Sequence, residues 1–121
     1  MKIVLIEDDA VLSGILLDRL RCEGYQVLHI ETIHTFEPFL QMYEPDLIIT
    51  DLLLSGVTAK ELIDYFGQFV CPILLISSVD KEDLHYFASM VGAKRTFQKP
   101  FDPARLIEEV NNLGREALNT L

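Results

Sequence analysis

Four apolar runs in this chain stop at polar residues suited to moving a phosphoryl group onto a carboxylate. KIVLI ends at Glu7 and Asp8, DLIIT at Asp51, PILLI at Ser77, and TFQ at Lys99 before Pro100. Glu7, Asp8 and Asp51 brought together need a cation among them, because two unit charges about 4 Å apart repel by roughly 4 kcal/mol at an effective dielectric of about 20. Mg²⁺ suits such a set: it takes oxygen ligands, keeps several waters, and is commonly held by one or two carboxylates plus phosphate oxygens. Lys99 adds a second positive charge on a long stem, able to meet a phosphate as a point charge. Positioning and charge stabilisation do most of the work in phosphoryl transfer, and a carboxylate can serve as the nucleophile. Asp51 is best placed for that role, standing alone at the end of the most apolar run, the central strand. Ser77 offers a hydroxyl that can bond an incoming phosphoryl oxygen and draw its own loop inward.

These residues meet only if the runs are neighbouring parallel strands, since ligands of open α/β sheets bind beyond the carboxyl ends of the strands. The apolar runs at 2–6, 26–30, 46–50, 73–76 and 96–98 are short, unbroken or β-branched, and helical patterns alternate with them. That alternation predicts five parallel strands covered on both faces by five helices. Leu12, Ile15, Leu16 and Leu20 form the first helical stripe, capped by Asp9 and closed by Gly24. Phe36, Phe39, Leu40 and Tyr43 form the second. Thr58 with Glu61 is a capping box opening the third, which runs through Leu62 and Phe66. Asp80 opens the fourth, with Leu84, Phe87 and Val91 inward and Gly92 past its end. Asp102-Pro103 reads as N-cap and first residue of the fifth, with Leu106, Ile107 and Val110 on its inner face. Its period continues past Gly114 through Leu121, so residues 115–121 read as the start of a linker to a further domain.

Half of the 121 residues are hydrophobic, enough for the core of one domain spanning 1–121. The formal net charge of −9 disfavours nucleic acid as a direct partner, which calls for clustered Lys and Arg. No apolar stretch reaches the 18 or so residues of a membrane span, and Met1-Lys2 leads directly into a strand-like run, so the expectation is a cytoplasmic protein without membrane contact. Cys22 and Cys71 have neither metal-ligand spacing nor the number for a disulfide framework. His29, His34 and His85 have no mutual spacing for a metal and read as ordinary surface or core residues.

Any one of these strand ends alone could be a solvated turn or a cap; an acid pair, an Asp, a Ser and a Lys-Pro in that order on alternating elements form a site. The chain resembles a receiver domain of the two-component response regulators, carried by IVLIEDD at 3–9, PDLIITDLLL at 45–54, PILLISS at 72–78 and KPF at 99–101. The resemblance runs from Lys2 to about Leu118. It implies a flavodoxin-like (βα)5 fold, a doubly wound parallel sheet of order 2-1-3-4-5. It implies Asp51 as phosphoacceptor, Asp8 as a direct metal ligand, Glu7 as a ligand acting through water, and the backbone carbonyl of Leu53 as a further ligand. It also implies Ser77 as the switch hydroxyl, Lys99 as the phosphate partner, and a cis bond from Lys99 to Pro100. Mg²⁺ is the expected ion, with Mn²⁺ as the alternative. The implied partners are a histidine kinase or a histidine-phosphotransfer protein upstream and an effector domain or downstream protein, with a homodimer also open. Such a module catalyses only its own phosphorylation and dephosphorylation.

The chain departs from the family pattern in three places. Ser55 and Ala59 stand where the family usually has Pro and Gly, and Gly56 is expected to take over the tight turn. Thr96 stands where many receivers carry an aromatic that swings inward, and Phe97 cannot replace it because neighbouring strand residues face opposite sides. Lys94-Arg95 stands where one large transcription-factor subfamily has acidic residues that pair across a dimer. The rival in another class is a pseudo-receiver acting as a phosphorylation-independent interaction module, which the intact Glu7, Asp8, Asp51, Ser77 and Lys99 oppose. A haloacid-dehalogenase-like phosphatase would need an Asp where Leu53 stands. An FMN carrier would need a phosphate-cradling loop where the acidic EDDAVL follows the first strand.

Overall fold

The computed structural model describes residues 1–34, 40, 42–54 and 56–119. Strands β1 (Lys2–Ile6), β2 (Gln26–Ile30), β3 (Leu47–Asp51), β4 (Ile73–Ser77) and β5 (Arg95–Gln98) form one parallel sheet of order β2-β1-β3-β4-β5. Four helices are described in full: α1 (Ala10–Cys22), α2 (Ala59–Phe66), α3 (Lys81–Val91) and α4 (Pro103–Asn119). They correspond to the first, third, fourth and fifth helical patterns of the sequence. Most of the second pattern, including Phe36 and Phe39, lies outside the described residues, as does Ser55.

The sheet is covered on both faces, which is why β3 and β4 are buried along their whole length. Successive strand residues point to opposite faces, so the core divides in two. Val4, Ile6, Ile48 and Leu75 pack with Leu62 and Phe66 of α2 and Leu84 and Val91 of α3. Ile3, Leu5, Ile49, Leu74 and Ile76 pack with Leu16 and Leu20 of α1 and Leu106 and Val110 of α4. Each fully buried side chain of this size contributes about 1.5–3 kcal/mol relative to leaving it in water. The strands therefore end together because their apolar runs are matched in length and register, Ile6 beside Thr50 and Asp51 beside Ile76.

Helix starts follow from local chemistry. Asp9 accepts from the N–H groups of Val11 and Leu12, and Thr58 and Glu61 form the reciprocal capping box. Asp102 accepts from the Ala104 N–H just before Pro103 opens α4. Gly92 ends α3 at φ 78°, and Gly56 holds φ 75° in the loop after β3, both in the left-handed region that glycine enters at least cost. Gly56 thus takes the turn expected of it. One face differs from expectation: α1 buries Ser13, Leu16 and Leu20 while Ile15 is exposed, because Leu16 and Leu20 pack into the core and Ile15 falls off that face; the Ser13 hydroxyl bonds to the Ala10 carbonyl.

Candidate functional site

The carboxyl ends of β1 and β3 bring three carboxylates together. Ligand oxygens of Glu7, Asp8 and Asp51 all lie within 4.8 Å of one another, Glu7 and Asp51 buried and Asp8 exposed. Each follows from local chain geometry. Glu7 is the first residue beyond β1 and turns inward, fully buried, while Asp8 beside it turns out to solvent. Asp51 closes β3 and its Oδ1 accepts from the Leu53 N–H at 2.8 Å, which fixes one carboxylate oxygen against the loop that follows.

Lys99 enters this cluster from the end of β5. Its Nζ lies 2.5 Å from Asp51 Oδ2 and 3.0 Å from Glu7 Oε2. The Lys99–Pro100 peptide is cis. Backbone bonding fixes where the side chain starts, since the Lys99 N–H donates to the Ser77 carbonyl at 2.7 Å. Burial alone would lower the affinity of Lys99 for its proton, but the bonds to Asp51 and Glu7 outweigh it and hold the ammonium above its usual value. Glu7 is shifted upward chiefly by burial, against the opposing bonds from the Asp9 N–H and Lys99. A single lysine therefore compensates two buried acids, and a third carboxylate stands beside them.

Ser77 closes β4, fully buried, and its Oγ accepts from the Val79 N–H at 3.2 Å. The hydroxyl is thus engaged with its own loop rather than with Lys99. Two residues the sequence reading passed over support this arrangement. His29 of β2 donates from Nε2 to the Glu7 carbonyl at 2.9 Å, and Gln98 of β5 donates from Nε2 to the Val79 carbonyl at 3.0 Å. Both are polar residues near the end of a strand, but their partners depend on the register of neighbouring strands. Thr96 shares a register position with Leu75 and Phe97 with Ile76, so Thr96 faces the α2–α3 layer and Phe97 the α1–α4 layer.

Hard carboxylate oxygens, two of them on buried residues, make a donor set fitted to a small divalent cation. The response regulator receiver domain family matches residues 3–111. The chain belongs to this family. Receiver domains are generally regulatory phosphoacceptors rather than classical enzymes, and the cluster of Glu7, Asp8 and Asp51 fits the phosphorylation site of such a domain. Among curated relatives, protein RcaC of Microchaete diplosiphon is 32% identical over 98% of this chain and 19% of its own length. The phosphate regulon transcriptional regulatory protein PhoB of Rhizobium meliloti is 32% identical over 96% of this chain and 53% of its own. The receiver domain thus spans about half or less of these relatives. Among solved structures, the BeF3-activated receiver domain of Klebsiella pneumoniae RstA superposes with a TM-score of 0.80 at 26% identity, covering 92% of this chain and 96% of that one. A two-component response regulator from Clostridium difficile shares the fold, with a TM-score of 0.86 at 19% identity over 95% of this chain and 96% of its own. No described helix is long and apolar enough to cross a membrane.

Proposed function

We propose that this receiver takes a phosphoryl group onto Asp51 from a histidine kinase or a histidine-phosphotransfer protein and passes the resulting change to an effector domain or downstream protein. A carboxylate oxygen of Asp51 forms the new O–P bond as the donor's bond to phosphorus breaks, leaving an acyl phosphate on the chain. Glu7, Asp8, Asp51 and the Leu53 carbonyl would hold Mg²⁺, or Mn²⁺ in its place. The bound ion would neutralise charge on the transferring group. Lys99 supplies the second positive charge from the protein itself. When phosphoryl oxygens arrive at Asp51, its ammonium exchanges a carboxylate oxygen for a phosphoryl oxygen without moving far. Ser77 gives up the Val79 N–H and turns its hydroxyl to a phosphoryl oxygen, which carries the local change into the loop 78–80.

One observation carries this reading: Lys99 Nζ is already held between the buried carboxylates of Asp51 and Glu7, beside the exposed Asp8. Intact mass after incubation with acetyl phosphate and Mg²⁺ tests it. The native chain is expected to gain one phosphoryl group and Asp51→Asn none. No gain in the native chain would favour the phosphorylation-independent module instead.

A further inference from the structure

Strand β5 is held by different contacts on its two sides. Toward α4 it carries Arg95 and Phe97. The Arg95 Nε donates to Glu109 Oε2 at 2.8 Å and its terminal nitrogen to Glu116 Oε1 at 2.6 Å, so one guanidinium spans two acids seven residues apart on one helix. That spacing is nearly two full turns, about 10 Å along the axis, on a single face. Phe97 adds a ring contact to Phe101, centroid to centroid 5.5 Å, just before α4 begins. Toward α3, against which it also packs, the same strand presents the small Thr96 and the Gln98 amide bonded to the Val79 carbonyl. The start of α3 is itself lightly held: Asp80 sits at its N-cap position without making a side-chain capping bond, unlike Asp9 and Thr58 at α1 and α2. The soft joint is therefore the start of α3, ahead of the part of that helix that packs along β5.

We propose that Arg95, Glu109 and Glu116 form an intramolecular clamp that locks β5 to the terminal helix, so that a change begun at Asp51 and Ser77 is confined to Val79–Leu84 while β5 and α4 stay a fixed bracket. This rests on the phosphoacceptor reading for its trigger, but the clamp itself does not. An exposed ion pair contributes little, whereas one planar guanidinium joining two carboxylates of one helix loses less side-chain freedom per bond formed. The clamp also occupies the Arg95 side chain, leaving it committed to its own chain.

Two measurements on the full chain separate the clamp from the trigger. Amide hydrogen exchange without any phosphoryl mimic reads the clamp alone: Arg95→Ala, and independently the pair Glu109→Gln with Glu116→Gln, should speed exchange in 109–119 about fivefold. Unchanged exchange in both variants would overturn the clamp even if switching is right. Amide chemical shifts with and without beryllofluoride and Mg²⁺ then read confinement. The native chain should respond most from Ser77 to Leu84 and little at 95–98 and 109–116, and Arg95→Ala should extend the response into both segments. Equal responses across all three segments of the native chain, or an unaltered pattern in Arg95→Ala, would overturn confinement. Absence of any native response at Asp51 and Ser77 would overturn the phosphoacceptor reading and confinement with it, leaving the exchange result to decide the clamp.

Discussion

At the residue scale, Glu7 and Asp8 are neighbours in sequence with opposite surroundings. The Glu7 carboxylate is fully committed inside the protein, Oε1 to the Asp9 N–H at 3.0 Å and Oε2 to Lys99, whereas Asp8 is exposed. Asp8 is therefore the acid better able to give an oxygen directly to a metal. Asp8→Ala is expected to weaken Mg²⁺ binding tenfold or more, by the rough size of one lost charged ligand, and Glu7→Ala by clearly less; titration of each variant with Mg²⁺ checks the order, and equal losses would refute the assignment. Burial also gives Glu7 a pH signature. Its carboxyl is held above the ordinary 4.5, so the folded chain binds the proton more tightly than the unfolded one. Stability from this group is thus greatest at low pH and is lost as pH rises from about 4.5 through the raised folded value. Lys99 does not oppose this near neutrality: it too is raised, from 10.5, so its contribution is complete below that pH and is lost only as pH climbs through its folded value. Thermal melts in EDTA from pH 4 to 8 should show Glu7→Gln falling less steeply with pH than the native chain. Parallel curves would mean that Glu7 ionises without cost.

At the element scale, the features legible in the sequence are those decided within a few residues. The T-x-x-E spacing at Thr58 and Glu61 needs no distant partner, and both halves of the box form, the Glu61 N–H to Thr58 Oγ1 at 3.1 Å and the Thr58 N–H to Glu61 Oε1 at 3.3 Å. Thr58→Ala should therefore lower stability by about 1 kcal/mol, read as a fall in the denaturation midpoint at unchanged slope. A shift below about 0.3 kcal/mol would show that α2 is held by packing through Leu62 and Phe66 alone. The strand ends were legible for a related reason: in a parallel sheet of matched runs, the polar residue that stops each run must fall on one edge, and Glu7, Asp51, Ser77 and Lys99 do. Features decided by packing between elements were not. Ile15 fits the helical period but lies off the buried face, since the sheet fixes the rotation of α1 around Ser13, Leu16 and Leu20. His29 reaches the Glu7 carbonyl only because β2 pairs with β1 so that His29 lies beside Leu5, a register no local pattern states. Asp80 has the residue type of a cap and the position of one, yet makes no capping bond. Type and position permit that bond without requiring it.

At the scale of the whole molecule, a net charge of −9 and a focused acidic cluster act together on folding. Like charges repel in the compact state, and the repulsion is largest where Glu7, Asp8 and Asp51 meet, with Lys99 paired to Glu7 and Asp51. Any divalent ion should therefore stabilise the chain, but through two separable effects. General screening depends on ionic strength, acts over the Debye length of about 10 Å at 0.1 M, and is reproduced by NaCl. Site binding depends on the ion itself and stabilises the folded state by RT ln(1 + [L]/Kd), about 2.7 kcal/mol at a hundredfold excess over Kd. For a domain of this size each kcal/mol raises Tm by roughly 3–6 °C. Melts in MgCl2 against NaCl at matched ionic strength are expected to show a large extra rise with Mg²⁺ in the native chain. In Asp8→Ala most of that extra rise should disappear while the NaCl response persists, because the mutation removes only one charge of the surface field but the acid proposed to give the ion a direct oxygen. An equal response to both salts in the native chain would mean that the acidic cluster merely belongs to the general surface charge and holds no ion.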